Sequence, residues 1–260
     1  MRVYVANNGL RYIEHEGVRF AVLIPSRMRA EIMARHPLRE VANLFVHRSE
    51  LAAYERQGLK PFPHEEHGFV RITNYMLDRA WSAPCDFVLR TDDDGLGLRE
   101  LFSRLSLPLL KDADSWLGVV FQDGLMALES GAPLFGYAMS ARPVARSAFR
   151  PFSLRTWLKG GCLGFTDASL RADTRLLHTD DVDLSLQALA KAGLVLGDNR
   201  FYFVTRGRSH GRDKGGAEGV RTPETQLQDY LYLREKYGPD VVQIDMRQRM
   251  GEYVRLRIRL

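Results

Sequence analysis

The sequence is poor in the features that mark secreted, disulfide-stapled or membrane-spanning chains. Cysteine occurs only twice, at Cys85 and Cys162. Two distant thiols exclude a disulfide framework and a cysteine-rich zinc centre, and they suit a reducing compartment. No apolar run reaches 18 residues, so no membrane span is expected. Met1 to Asn8 has the pattern of neither a signal peptide nor a transit peptide, and a cytoplasmic location is expected. Repeats and low-complexity stretches are also missing. Lysine is scarce: of 37 basic residues, 6 are lysine and 31 arginine. Acidic residues are absent from Ser130 to Thr166, yet Arg142, Arg146, Arg150, Arg155 and Lys159 lie there.

What is present is enough apolar material, 45% of 260 residues, to build a sizeable core without cross-links. The net charge is +5. Arginine forks pair bidentately with phosphate, so an acid-free basic stretch fits a polyanionic partner; GC-rich codon usage explains an arginine excess equally well. The tail Val254 to Leu260 alternates apolar residues with Arg255, Arg257 and Arg259. As a strand it places three guanidinium groups on one face.

Short apolar runs predict buried strands at Arg19–Ile24, Val41–Val46, Asp86–Leu89, Trp116–Phe121 and Phe201–Val204. Helices are expected at Arg29–Arg35, Glu50–Gln57, Phe69–Trp81, Leu98–Leu105 and Asp181–Ala192, the last capped by Gly193. A further helix is expected at Thr222–Tyr237, with Pro223 at its first position. Alternation of strands and helices predicts an α/β fold with a mixed, mostly parallel sheet flanked by helices. No linker divides the chain, so one domain is expected over 1–260. Residues 1–18 read as an added hairpin turning at Asn7-Asn8-Gly9, and 238–260 as a basic C-terminal strand.

The strongest chemical signal is Asp92-Asp93-Asp94 after an apolar strand, at the edge where open α/β sheets bind ligands. Adjacent carboxylates repel one another unless a cation neutralises them, and an all-oxygen set suits Mg²⁺ or Mn²⁺ held with substrate phosphates. On a strand end Asp92 and Asp94 would point to one side and Asp93 to the other. A solvated turn capping a helix is the alternative. A second acidic group, His178-Thr179-Asp180-Asp181-Val182-Asp183, opens a helix, where carboxylates either cap or serve as a base. The third signal is Gly207-Arg208-Ser209-His210-Gly211-Arg212-Asp213-Lys214-Gly215-Gly216, which matches neither nucleotide-binding glycine fingerprint. His64-Glu65-Glu66-His67 has its histidines three apart rather than four and, following Pro61 and Pro63, reads as a solvated loop.

These three groups, in this order, resemble the GT-A class of nucleotide-sugar glycosyltransferases. Val22-Leu23-Ile24-Pro25-Ser26-Arg27-Met28-Arg29 is similar to the first strand and donor loop of one branch. So is Gly160-Gly161-Cys162-Leu163-Gly164-Phe165, followed by Asp180-Asp181-Val182-Asp183-Leu184. That branch is the TET/JBP-associated glycosyltransferases of phages that hypermodify their DNA, and the resemblance covers residues 19 to 235. It implies a GT-A fold and transfer of a sugar, from a nucleotide sugar such as UDP-glucose, to the hydroxymethyl group of a 5-hydroxymethylpyrimidine in DNA. It implies metal ligands at Asp92, Asp94 and His210. Nucleotide-sugar contacts fall on Pro25, Ser26, Arg27, Arg29, Arg71, Asn74 and Asp93, with Arg212 and Lys214 adding charge near the phosphates. Asp181, beside Asp180, would face the acceptor hydroxyl. DNA, a nucleotide sugar and no membrane are the expected partners, in the host cytoplasm for a phage-encoded chain. The alternatives are a GT-A transferase acting on protein, lipid or glycan, and a non-catalytic nucleic-acid-binding module on a degenerate transferase fold. A nucleotidyltransferase using the carboxylates for two-metal chemistry is a third.

Overall fold

The computed structural model describes residues 1–101, 108–138, 150–206, 222–245 and 255–259. The run Val18–Ser26 (β3) is apolar at successive positions because both its faces are covered. Phe20, Val22 and Ile24 enter one core, while Ala21 and Leu23 enter the other. Around it lie the parallel strands Asn43–His47 (β4), Phe62–His64 (β5) and Phe87–Thr91 (β6). β4 pairs with β3 and β5, and β6 pairs with the opposite edge of β3. Within this parallel block, β3, β4 and β6 fall on runs where strands are expected, and β5 does not.

The rest of the sheet adds antiparallel pairing. The hairpin Arg2–Val5 (β1) and Arg11–His15 (β2) continues the main sheet through β2–β3. Beyond β6 come Cys162–Phe165 (β11), Leu134–Ala138 (β9), Leu196–Thr205 (β12), Gly95–Glu100 (β7) and the two-residue Leu109–Leu110 (β8). β9 and β12 are parallel to each other; β11 is antiparallel to both its neighbours. Phe152–Ser153 (β10) pairs with β12. The result is a mixed twelve-stranded sheet.

Helices cover both faces. Ala30–Met33 (α1), Leu51–Glu55 (α2) and Ala113–Ser130 (α4) pack on the face bearing Phe20, Val22 and Phe87. Phe69–Trp81 (α3), Asp180–Ala192 (α5) and Pro223–Tyr237 (α6) pack on the face bearing Leu23 and Val88. α6 begins with Pro223, as its sequence predicts, and with a reciprocal Thr222–Thr225 capping box. α5 ends at the left-handed Gly193, φ 75°. The C-terminal run forms a strand, Arg255–Ile258 (β14), paired with Val242–Asp245 (β13). No helix among the described residues is long and apolar enough to cross a membrane.

Two elements differ from expectation, in opposite senses. Trp116–Phe121 is the middle of α4, not a strand. Asp112 caps that helix by accepting from Ser115 N–H at 2.8 Å, and the left-handed Gly131 ends it. The apolar residues Trp116, Val120, Phe121 and Ala127 recur at helical spacing, which a six-residue window is too short to reveal. Where a helix is expected at Leu98–Leu105, Leu98–Glu100 belong to β7, and residues 102–105 lie outside the described residues. Gly97 there has φ 135°, and its Cβ would meet the Leu110 carbonyl at 2.2 Å, so a β crossing is imposed by backbone contact. His64 also departs from the loop reading. It ends β5, buried, with its ring centroid 5.7 Å from that of His47, while the ring of His67 lies 5.0 Å from His47.

Beneath the sheet, Asp123 of α4 meets Asp198 of β12. Both are about 1% exposed. Asp198 is held by Arg200, whose Nη2 donates at 2.7 Å, while Asp123 lies 3.5 Å from that nitrogen and accepts no well-formed hydrogen bond. Burial and the neighbouring Asp198 push Asp123 up to about 8, so its folded form carries a proton near neutrality. A carboxyl whose pKa rises on folding stabilises the fold below its unfolded value near 4 and loses that contribution as pH rises through 8. Chemical denaturation from pH 5 to 9 is therefore expected to show stability falling with pH, by up to about 1.4 kcal/mol per unit. Asp123→Asn, which keeps the neutral shape, is expected to flatten that slope.

Candidate active site

The carboxyl ends of β3, β4, β5 and β6 share one edge of the sheet. They bring Ser26, His47, His64 and Thr91 to it, and Asp92 to Asp94 follow directly. The triplet is a tight turn into β7, closed by Gly95 N–H donating to the Asp92 carbonyl at 3.2 Å. The side chains therefore do not alternate as on a strand. Asp93 and Asp94 both reach Arg29, at 2.6 and 3.4 Å, whereas Asp92 lies by the Gly161 backbone, which accepts its N–H at 3.0 Å.

The donor-loop residues divide into two groups. Ser26 Oγ donates to Asp93 at 2.6 Å and shares a 2.8 Å hydrogen bond with Tyr54 Oη; Arg29 Nη1 donates to Asp93. Asp93, expected on the sugar or ribose, thus has both oxygens engaged within the protein. Burial pushes its pKa up, opposed by Arg29 and Ser26. Arg27 and Arg71 are exposed and make no ion pair among the described residues, so they are free to meet an anion. Pro25 is part of β3. Asn74 is a clip: its amide donates to the Ala172 carbonyl at 2.8 Å and accepts from Ala172 N–H at 3.0 Å, tying α3 to the loop at Ala172.

The acidic helix start comes to the triplet through one residue that the sequence reading passed over. Arg90 lies on β6 two positions before Asp92 and is 0% exposed. Its guanidinium is ion-paired with Asp180, donates to Thr73 Oγ1 at 3.1 Å and to the Gly160 carbonyl at 2.5 Å, and lies 5.0 Å from the Phe69 ring. A buried charge needs such partners. Asp180 is consequently a counter-ion. Asp183 is likewise tied, to Lys236 Nζ and Tyr237 Oη, both at 2.6 Å. Asp181 alone of the three accepts only backbone N–H groups, from Gly160 at 3.0 Å and Val182 at 2.8 Å. Burial and Asp180 push it up to about 6, within the range of a general base. Asp229 of α6, also missed, anchors the approach to this helix by accepting from the N–H groups of Leu177, His178 and Thr179 at 2.8–3.1 Å.

Gly160-Gly161 lies between the two acidic groups. A Cβ at 160 would sit 3.0 Å from Arg90 and 3.3 Å from Asp181. One at 161 would sit 2.7 Å from Phe203 and 3.6 Å from the Asp92 carboxylate. No side chain fits there, which is the physical content of the glycine pair.

Asp92 and Asp94 accept no hydrogen bond on their carboxylates among the described residues. Burial, with Asp94, Asp93 and Asp180 nearby, drives Asp92 well above the usual carboxylate range, against the pull of Arg90. Oxygen lone pairs left without a hydrogen-bond donor fit a hard divalent cation. No group of three or more His, Cys, Asp or Glu among the described residues is set to hold a metal. His210, Arg212 and Lys214 lie outside the described residues, as do Arg142 and Arg146. The chain enters that region at the triplet: Arg206 N–H donates to the Asp94 carbonyl at 2.9 Å, four residues before His210.

No family model matches the sequence, and no curated protein matches it. Among solved structures, residues 1–349 of S. aureus TarS resemble it with 14% identity and a TM-score of 0.41, over 70% of this chain and 59% of that one. The same protein in complex with UDP gives 15% and 0.42, over 83% and 65%. The mannosyltransferase PcManGT from Pyrobaculum calidifontis, in complex with GDP-Man and Mn²⁺, gives 16% and 0.47, over 90% and 68%. This chain spans less than two thirds of either TarS structure.

Proposed function

We propose that the protein is a metal-dependent glycosyltransferase of the GT-A type, moving a sugar from a nucleotide sugar to the hydroxymethyl group of a 5-hydroxymethylpyrimidine in DNA. The observation that carries the transferase reading is the meeting, across Gly160-Gly161 and Arg90, of a carboxylate turn with free lone pairs and a single uncommitted carboxylate, Asp181.

Asp92 and Asp94, with His210 as third ligand, would hold Mn²⁺ or Mg²⁺, which when bound supplies Lewis-acid neutralisation of a departing diphosphate. Arg27 and Arg71, exposed at the same end of the sheet, bind the donor phosphates, with Arg212 and Lys214 adding charge. Asp181 takes the proton of the acceptor hydroxyl as that oxygen bonds to the anomeric carbon and the bond to the diphosphate breaks. A base in this role belongs to an inverting transfer. Its raised pKa makes it a stronger proton acceptor than an ordinary aspartate while leaving it ionised at neutral pH.

The DNA acceptor is supported by charge. Arg150, Arg155 and Lys159 are exposed, and Lys159 immediately precedes the Gly160 that docks on Asp181. A lysine next to the residue that docks on the base, with Arg150 and Arg155 exposed on the same segment, suits a phosphate backbone that delivers a nucleobase turned out of the duplex. Replacing Arg150 and Arg155 together is expected to weaken DNA binding and lower the slope of log affinity against log salt by about 2. An unchanged slope in fluorescence anisotropy removes them from the DNA surface.

The test of the whole reading offers a panel of nucleotide sugars with Mn²⁺ to hydroxymethylated and plain DNA, followed by mass spectrometry of the digested nucleosides. A glycosylated hydroxymethylpyrimidine supports it. Turnover of donor without any DNA product moves the acceptor to protein, lipid or glycan. No turnover of any donor leaves a binding module.

A further inference from the structure

The turn leaving β3 carries two features that the transfer reaction does not explain. Met28 has φ 57°, a left-handed conformation costing a non-glycine residue about 1 kcal/mol. Its side chain is 58% exposed, so no packing holds it there. The adjacent Arg29 turns inward, with Nη1 2.6 Å from Asp93 Oδ1 and 3.4 Å from Asp94 Oδ2. Its Nε is buried with no hydrogen-bond partner among the described residues. Two hydrogen bonds clamp the turn: Met28 N–H donates to Glu50 at 2.6 Å and Arg29 N–H to Tyr54 Oη at 3.1 Å. A strained backbone and an unsatisfied guanidinium nitrogen are both maintained, and what they achieve is to place a positive charge on the acidic turn.

Asp94 has no other side-chain partner among the described residues, so Arg29 sits on the oxygen that a cation would need. We propose that Arg29 is an internal counter-ion, which neutralises Asp93 and Asp94 while no metal is bound and which a divalent cation displaces from Asp94. Asp93 stays in place through Ser26 Oγ. The released guanidinium turns away from Asp94, and the acidic turn does not stand with its charge uncompensated in either state. This inference rests on the metal reading of Asp94.

The test is a Mn²⁺ titration of the full chain without donor, following the electron paramagnetic resonance signal of the free ion. Removing the competing charge in Arg29→Gln is expected to tighten Mn²⁺ binding about tenfold. Arg29→Lys, which keeps the charge, is expected to return the affinity toward that of the wild type. Binding by Arg29→Gln that is equal to or weaker than wild type, while Asp94→Asn still abolishes it, overturns the counter-ion role and leaves the metal site standing. A lysine variant that binds as tightly as the glutamine one also overturns it. Absence of Asp94-dependent binding in every variant overturns the inference together with the metal reading.

Discussion

Asp94→Ala is expected to lower turnover of the nucleotide sugar by about a thousandfold or more, and to remove its dependence on a divalent cation, while the protein stays folded. The size follows from losing Lewis-acid stabilisation of the leaving diphosphate, worth several kcal/mol. The fold survives because main-chain contacts make the turn: Asp92 N–H to Gly161, Gly95 N–H to Asp92 and Arg206 N–H to Asp94. Among the described residues the Asp94 side chain pairs only with Arg29, at 3.4 Å. Removing one of three adjacent like charges even relieves repulsion. Steady-state assays with and without Mn²⁺, alongside a thermal melt, check both halves. Turnover equal to wild type would remove Asp94 from the site.

Arg90→Met is expected to have the largest effect on stability, about 3–5 kcal/mol, because it leaves Asp180 ionised and buried with no counter-ion. The cause is the orphaned charge, not lost packing. Arg90→Met combined with Asp180→Asn should therefore recover most of the loss, with a coupling of at least about 1 kcal/mol in a double-mutant cycle. Denaturant unfolding of the four proteins decides it. Additive losses would mean that the pair contributes no more than its separate volumes. The recovered double variant also isolates what Arg90 does for catalysis, since it folds but no longer holds the Gly160 carbonyl beside Asp181.

Much of this site is local in the sequence and was legible there. An apolar strand running into three aspartates, and a three-acid opening of a helix ended by Gly193, are each short stretches of continuous sequence. In the parallel block, β3, β4 and β6 fall on apolar runs that predict strands, whereas β5 falls on a proline-flanked stretch that reads as a loop. What the sequence hid is mostly long-range. Arg90 sits in an apolar strand, and only the fold shows its partners at Thr73, Gly160 and Asp180. Asp229 serves a loop some fifty residues earlier in the chain. Asn74, on a helix near the site, has a partner at Ala172 that no local pattern announces. Trp116–Phe121 failed for a different reason: six apolar residues are as compatible with a buried helix as with a strand, and the deciding signals, Asp112 and Gly131, lie outside the run. Alternation across Asp92–Asp94 failed because the strand ends at Thr91, and a turn does not share the period of a strand.

The central claim is that the acidic turn holds a cation that in turn holds a diphosphate. Crystals grown with Mn²⁺ and a sugar nucleotide, measured at the manganese absorption edge, test it most directly. The account predicts an anomalous peak at the Asp92 and Asp94 carboxylates with the two donor phosphates against it. Manganese or nucleotide bound elsewhere, with water alone at that turn, would contradict it.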